Sequence, residues 1–248
     1  RSTLSSSSAA SDVYKRQIRY ILQFGTSNRE TFSITIDKLT GKFIAPPIEN
    51  APEWTKLAFE QCPNCPLDTN DTEYCPTAIG LNNIAGRFGN VLSHSEVELV
   101  VIFDERWVGK KTTSQEAISS LMGLQIATSG CPHTDYLKPM ARYHLPLATA
   151  DETLIRTTGS YFLRQYYDSK TNVSFDFELT GLAKLYSEMQ IVNASIAKRL
   201  RASGEFSELN ALTILDTFAQ VIPIQIEDNL DDVRPLFSYS EIAPKDNI

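Results

Sequence analysis

Residues 113–131 read TSQEAISSLMGLQIATSGC, and the rest of the predicted fold is arranged around this stretch. Between Ala117 and Cys131 it carries no charged residue, and its large apolar side chains are interleaved with serine, glycine and alanine. A helix that is apolar nearly all round is buried, because no face of it is suited to water. The small residues also let neighbouring backbones approach closely. We therefore predict a buried central helix over residues 114–129.

The ends of this helix carry their own signals. Thr113 and Glu116 have the spacing of a capping box, in which each side chain binds the backbone N–H of the other residue. Gly130 is suited to the left-handed conformation that ends many helices. Cys131 should therefore emerge just past the end of a buried helix.

Two β-hairpins are predicted before this helix. Apolar and polar residues alternate through 18–36 around a polar turn at 25–28. A second hairpin is indicated by Val97, Leu99, Val101 and Phe103 at alternate positions, with Val100 and Ile102 making this strand apolar on both faces, and by a turn at 104–105 before a returning strand at 107–112. This alternation is typical of strands with one face in the core. A short helix is expected between the hairpins, over 77–88. The four antiparallel strands should pack as a small sheet on the central helix.

Three further helices are predicted towards the C-terminus. The first covers 150–168 and begins with Thr149 and Glu152 as its capping box. In the second, apolar residues recur every three or four positions between 182 and 200. The third begins at Ser207, so the last two helices should form an αα-hairpin.

Together these elements predict an α+β fold, in which two hairpins pack on a buried central helix and a C-terminal αα-hairpin follows. Residues 18–170 form the predicted core with its cysteine-rich loop, 171–225 the helical hairpin, and 226–248 a loosely packed acidic tail. Residues 1–17, RSTLSSSSAASDVYKRQ, have low complexity and resemble a translated linker at the end of an environmental reading frame. We expect this segment to be non-native or disordered.

The composition narrows the class of protein. The chain has 248 residues, 42% of them hydrophobic and 21% charged, with a net charge of −7 and a pI near 5.1. Nucleic-acid binding is disfavoured because it requires clustered cations, and the basic run at 198–201 is expected to be a solvated helix end. No apolar run approaches the ~18 residues of a membrane span, and no signal peptide is visible. We predict a soluble cytoplasmic protein, and a protein partner is compatible with this composition.

The four cysteines are the main functional signal. Cys62 and Cys65 form a Cys-x-x-Cys pair, Cys75 and Cys131 follow, and each of the four precedes a proline. A Cys-x-x-Cys turn can place two thiolates on one metal ion, and structural zinc sites need four ligands. We therefore predict a four-thiolate zinc site with these cysteines as ligands and His133 in reserve.

Other interpretations of the cysteines stay open. An iron–sulfur cluster also takes four thiolates, and a Cys-Pro step occurs in ferredoxin-like motifs. A metal-free thiol redox sensor is a further alternative, whereas disulfides are disfavoured without a secretory signal. A tetrathiolate zinc site is closed to substrate. The zinc interpretation therefore favours a structural site in an interaction or regulatory protein.

A second motif is the run PMARYHLP at 139–146. Arg142 and His144 would lie on one side of this run if it were extended, and would then form an anion pocket. A packed loop with Arg142 paired to a carboxylate is the favoured reading. An enzyme using Cys131, His133, Arg142 and His144 is the alternative function. A nucleophilic Cys131 is disfavoured because a helix C-terminus raises the pKa of a thiol.

Several strings resemble a bacterial family known only as a domain of unknown function. They are CPNCPLD at 62–68, YCPTA at 74–78, ISSLMGLQIATSGCPHTDYLKPMARYHLPLA at 118–148 and DETLIRTTGSYFLRQYY at 151–167. The resemblance covers roughly residues 18–167. It implies that the candidate residues lie in the family's motif blocks: Cys62, Cys65, Cys75, Cys131, His133, Arg142 and His144. It implies no activity.

Overall fold

Within the described residues, four strands form one antiparallel sheet with the order β2-β1-β3-β4. They are β1 (Lys15–Phe24), β2 (Asn28–Asp37), β3 (Glu96–Ile102) and β4 (Trp107–Thr113). The computed structural model describes residues 14–45, 50–84, 87, 94–104, 106–171, 174–203, 216, 219–220, 222–224, 226–228 and 230–238. Both predicted hairpins are confirmed. β1 begins at Lys15, so the last three residues of the segment 1–17 belong to the sheet.

The two central strands supply the core face of the sheet. Their alternating apolar residues are all 2% exposed or less, and they are Ile18, Tyr20, Leu22, Val97, Leu99 and Val101. β1 and β3 pair in antiparallel register with Ile21 opposite Val100. This pairing joins the two hairpins, which are far apart in sequence, into one apolar surface.

The helices that position the candidate sites are, in chain order, α1 (Pro76–Leu81), α2 (Ser114–Thr128), α3 (Lys138–Arg142), α4 (Ala150–Ser169) and α5 (Thr180–Ser203). A 3-10 helix, Pro132–Leu137, follows α2. α4 has its complete capping box, as predicted. α1 ends at Leu81, earlier than expected, and the Asn82 backbone N–H donates to the Ile79 carbonyl.

α2 is the buried central helix that the sequence predicts. Its start is capped by Thr113, whose side chain accepts a hydrogen bond from the Glu116 backbone N–H at 3.2 Å. The Glu116 carboxylate instead accepts a hydrogen bond from the Thr112 hydroxyl. Gly130 has a φ of +88°, the left-handed conformation expected at the helix end.

The C-terminal part packs on α5. The predicted helix start at Ser207 lies outside the described residues, but residues 219–220, 222–224 and 226–227 are helical. The Gln190 side chain donates a 2.9 Å hydrogen bond to the Ala219 carbonyl. Ile226 and Val233 are buried, so the beginning of the acidic tail contributes to the core. No helix in the described part of the chain is long and apolar enough to cross a membrane.

Candidate functional site

A buried arginine fixes the chain that leads into the cysteine-rich loop. Arg199 on α5 is only 1% exposed. Its Nη1 donates hydrogen bonds to the carbonyl oxygens of Trp54 at 2.7 Å and Lys56 at 2.6 Å. Its Nη2 lies 3.4 Å from the carbonyl of Leu57 and 3.5 Å from that of Glu60. The guanidinium thus ties four backbone carbonyls to one helix.

The Cys-x-x-Cys pair forms a turn held between α5 and the segment after α2. The Cys65 N–H donates a 3.0 Å hydrogen bond to the Cys62 carbonyl. Within the turn, Asn64 Nδ2 donates to the Glu188 carboxylate on α5 at 2.6 Å. The Asn64 carbonyl oxygen lies 2.6 Å from His133 Nε2. The turn is therefore anchored on both sides.

The other two cysteines each stand directly before a helical turn. Cys75 caps α1, and its N–H donates to the Thr55 carbonyl at 2.8 Å. Cys131 precedes the 3-10 helix, and its thiol contacts the Thr77 side chain and the His133 backbone N–H. Both cysteines are buried, at 7% and 8% exposure. The prolines that follow them are suited to the first position of such turns.

Several of the four thiols influence one another electrostatically. Burial raises the pKa of Cys131 to about 11, and the neighbouring Cys75 and Cys62 raise it further. Burial also raises the pKa of Cys62, with further contributions from Cys75 and Cys65. The direction for Cys131 agrees with the sequence prediction. Its main cause is burial, however, and not the end of α2.

The thiols are neighbours without forming a closed coordination shell. All four cysteines are free. Within the part of the chain that the structure describes, no group of three or more His, Cys, Asp or Glu side chains is arranged to hold a metal ion. A tetrahedral zinc site requires sulfur atoms ~3.8 Å apart, as follows from Zn–S bonds of ~2.3 Å. Zinc binding here therefore requires the side chains to turn towards one centre.

The proposed reserve ligand, His133, has other partners. Its Nε2 lies 2.6 Å from the Asn64 carbonyl oxygen, and its Nδ1 lies 3.9 Å from the Glu188 carboxylate. Both ring nitrogens thus face the loop and α5. The backbone N–H of His133, in contrast to its ring, is directed at the Cys131 thiol.

Arg142 and His144 lie in different environments. The run 139–146 is not extended, because α3 covers its first part. Arg142 Nε donates a 3.2 Å hydrogen bond to the Lys38 carbonyl rather than to a carboxylate. His144 Nε2 lies 2.5 Å from Tyr20 Oη in the core. Burial lowers the pKa of His144 to about 3, so its ring is neutral at pH 7. These contacts favour packing roles over an anion pocket built from this pair.

Sequence reasoning missed Arg199. The run 198–201 was expected to be a solvated helix end, and this is wrong for Arg199, although Lys198 and Arg201 are exposed. The position of Arg199 within the helical pattern does indicate that this residue is buried. Arg199 lies three residues after Ile196 and seven after Val192, on the same apolar stripe of α5.

The sequence patterns also do not indicate a cavity of about 510 Å³, which lies between α2, α3, α4 and α5. Polar residues in its wall include His144, Arg156 and Asn193. The small residues Gly123 and Ala127 of α2 also line it. In the sequence these small residues indicate close helix packing. Because their side chains are small, they also leave open space wherever no larger neighbouring side chain fills it.

A family model described as a domain of unknown function, DUF6901, matches residues 18–238. The chain belongs to the DUF6901 family. This agrees with the resemblance to a family of unknown function. The DUF6901 match begins at the first core residue of β1 and includes all four cysteines. No curated protein and no solved structure matches the chain significantly.

Proposed function

We propose that this DUF6901 chain is a zinc-binding protein in which Cys62, Cys65, Cys75 and Cys131 hold one Zn²⁺ as a structural centre. One observation carries the proposal. Thiols from segments far apart in sequence influence one another, since Cys75 contributes to the raised pKa of both Cys62 and Cys131, behind the larger effect of burial. Like-charged thiolates repel one another, so such a group is stable with all members ionised only if a cation lies among them.

Hydrogen-bond donors around the thiols support the same proposal. The Cys131 sulfur has the His133 N–H and the Thr77 hydroxyl as neighbours, and both lower its pKa. The Ser195 hydroxyl also lies beside the Cys62 sulfur and, with the positive charge of Arg199, lowers the pKa of this thiol, although its proton is donated to the Ile191 carbonyl at 2.7 Å. Donors of this kind stabilise the thiolates of a metal centre and orient them. A coordinated thiol loses its proton outright, which overrides the effect of burial.

The raised thiol pKa values count against reactive cysteines. Nucleophilic and redox-sensing cysteines react as thiolates, and they have lowered pKa values and access to solvent. Cys131 has the opposite properties, with a pKa raised to about 11 and 8% exposure. A thiol redox sensor or a Cys131 nucleophile is therefore less well supported than a metal ligand.

The position of the cysteines favours a structural role. A metal at this place would join the Cys62 turn, the start of α1 and the segment after α2, next to α5. A four-thiolate site leaves no coordination position for a substrate. We therefore assign the chain an interaction or regulatory role, in which zinc holds the cysteine-rich loop in the shape seen by its partner.

The metal content of the purified protein tests this proposal. We expect about one zinc per chain in a colourless sample, as a single tetrathiolate site requires. The substitutions Cys75→Ser and Cys131→Ser should each abolish stoichiometric zinc, whereas Asn70→Ser, at an exposed position of the same loop, should retain it. A brown sample with iron and labile sulfide would replace zinc by an iron–sulfur cluster. A folded protein free of metal after zinc loading would refute both.

A further inference from the structure

The cavity between α2, α3, α4 and α5 has the size and lining of a small-molecule site. Its volume of about 510 Å³ lies within the range of ligand pockets, roughly 300–1,000 Å³. Much of its wall is apolar, formed by Leu124, Ala127, Leu137, Met140, Leu147 and Met189. None of the four cysteines lines it, so this site is separate from the proposed zinc centre.

Two buried polar groups in the cavity wall have no hydrogen-bond partner among the described residues. Asn193 is 3% exposed, and its Nδ2 is unpaired. The hydroxyl of Tyr136 is also buried and unpaired. Buried polar atoms in folded proteins are nearly always hydrogen-bonded, so each exception requires an explanation. An amide N–H and a phenol O–H both donate, and a bound hydrogen-bond acceptor would satisfy them.

The charge in the wall favours a negatively charged acceptor. Arg156 is half-buried there, and its Nη2 donates to the carbonyls of Met140 at 2.8 Å and Tyr143 at 2.9 Å. A guanidinium has five N–H donors, so these two bonds do not exhaust it. His144 supplies no charge, because burial keeps its ring neutral at pH 7.

Tyr186 of α5 lies beside two of these donors, Tyr136 and Arg156. The ring of Tyr186 lies 5.6 Å from that of Tyr136, edge to face. The charge of Arg156 acts on the Tyr186 hydroxyl as well. Tyr186, Met189 and Asn193 follow one another at helical spacing and all line the cavity. One face of α5 therefore carries the Asn193 donor and part of the apolar wall.

We propose that this cavity binds a small apolar carboxylate, such as a medium-chain fatty acid. The hydrocarbon part lies against the leucine and methionine wall. The carboxylate accepts hydrogen bonds from the Asn193 amide and the Tyr136 hydroxyl, and Arg156 supplies the compensating charge.

Titration calorimetry with decanoate tests the proposal, with decyltrimethylammonium as a probe of equal chain length and opposite charge. Decanoate should bind saturably, with one site per chain, and at least about tenfold more tightly than the cation, since charge-assisted hydrogen bonds contribute this much or more. Saturable binding of neither probe, or equal binding of both, would overturn the proposal.

Substitutions locate the binding site. Asn193→Leu keeps the side-chain size and removes the donor, so it should weaken decanoate binding by about tenfold or more. Tyr136→Phe removes one hydroxyl and should weaken binding as well, whereas Tyr166→Phe, on the exposed part of α4, should not. Unchanged affinity in folded Asn193→Leu and Tyr136→Phe proteins would place decanoate elsewhere and refute the assignment. If Asn193→Leu does not fold, the two tyrosine variants decide.

Discussion

Arg199 Nη1 lies 2.7 Å from the carbonyl oxygen of Trp54, a residue 145 positions earlier in the chain. The same nitrogen donates to the Lys56 carbonyl at 2.6 Å. These bonds attach the beginning of the cysteine-rich loop to the last turns of α5. The guanidinium and its hydrogen bond to the Trp54 carbonyl are both buried.

Arg199→Met should therefore destabilise the protein strongly. Hydrogen bonds to charged groups contribute ~1.5–3 kcal/mol each, and buried carbonyls left unpaired add to the loss, so we expect a decrease of at least ~3 kcal/mol in the free energy of unfolding. Urea unfolding measures this change. Arg201→Met, two residues away and exposed, is the matched control and should change stability by no more than ~0.5 kcal/mol. Equal effects of the two substitutions would show that Arg199 is not the anchor.

A pair of helical glycines should respond in opposite directions to alanine. A Cβ at Gly181 would overlap the Tyr161 hydroxyl, which donates a 2.8 Å hydrogen bond to Asp176. Gly181→Ala should thus destabilise the protein by ~1–3 kcal/mol. A Cβ at Gly159 would meet no atom within 4 Å, so Gly159→Ala should stabilise α4 by ~0.5–1 kcal/mol. Thermal unfolding of both variants checks the pair, and stabilisation by Gly181→Ala would contradict the packing described.

The stability of the fold should depend on the titration of His144. Burial, with Arg156 and Arg16 nearby, lowers the pKa of His144 to about 3, whereas an unfolded histidine titrates near ~6.5. Between these values the unfolded chain binds a proton that the folded chain does not. The contribution of His144 to the free energy of unfolding is thus fully present above pH ~6.5. It is lost as the pH falls towards 3, by up to ~1.4 kcal/mol per pH unit.

His144→Gln removes this titration and should flatten the dependence of unfolding free energy on pH between about 6 and 4. His94→Gln, at an exposed position, is the control and should leave the wild-type slope unchanged. Denaturant unfolding across this pH range provides the measurement. An identical slope in the wild type and His144→Gln would mean that His144 takes up a proton in the folded state as readily as in the unfolded state.

Zinc removal should make the thiols available for alkylation, with Cys131 reacting slowly as long as the protein stays folded. Zinc-loaded protein should be protected at all four cysteines, because coordinated thiolates are not free to react. After chelation under conditions that preserve the fold, Cys131 should react at least about tenfold more slowly than in urea, since burial holds its pKa at about 11. Mass spectrometry of peptides resolves each cysteine. Equal labelling of Cys131 in folded and unfolded protein would contradict its burial.

The fold followed from local patterns in the sequence. Alternation predicted the first hairpin, an apolar strand followed by a polar turn predicted the second, and the uncharged stretch from Ala117 predicted the helix that the structure places at Ser114–Thr128. Capping residues located the start of α4 to the residue. These features depend on short-range geometry, which is visible in a single sequence.

The sites depended on long-range contacts that such patterns do not contain. Nothing near Arg199 specifies that its partners are carbonyls 139 to 145 residues away. An anion pocket built from Arg142 and His144 requires an extended run, yet the first part of this run forms α3 and the two side chains meet different partners. The four-cysteine metal site stays a prediction, and the burial of Cys75 and Cys131 was not foreseen from the sequence.

X-ray absorption at the zinc edge of the purified protein identifies the ligands of the proposed metal centre. We expect four sulfur atoms bound to zinc at ~2.3 Å, as in closed structural sites. The same measurement on Cys131→Ser should show at most three sulfurs or no bound zinc. A wild-type shell dominated by nitrogen or oxygen, or a folded protein that binds no zinc, would contradict the assignment of Cys62, Cys65, Cys75 and Cys131 as one metal site.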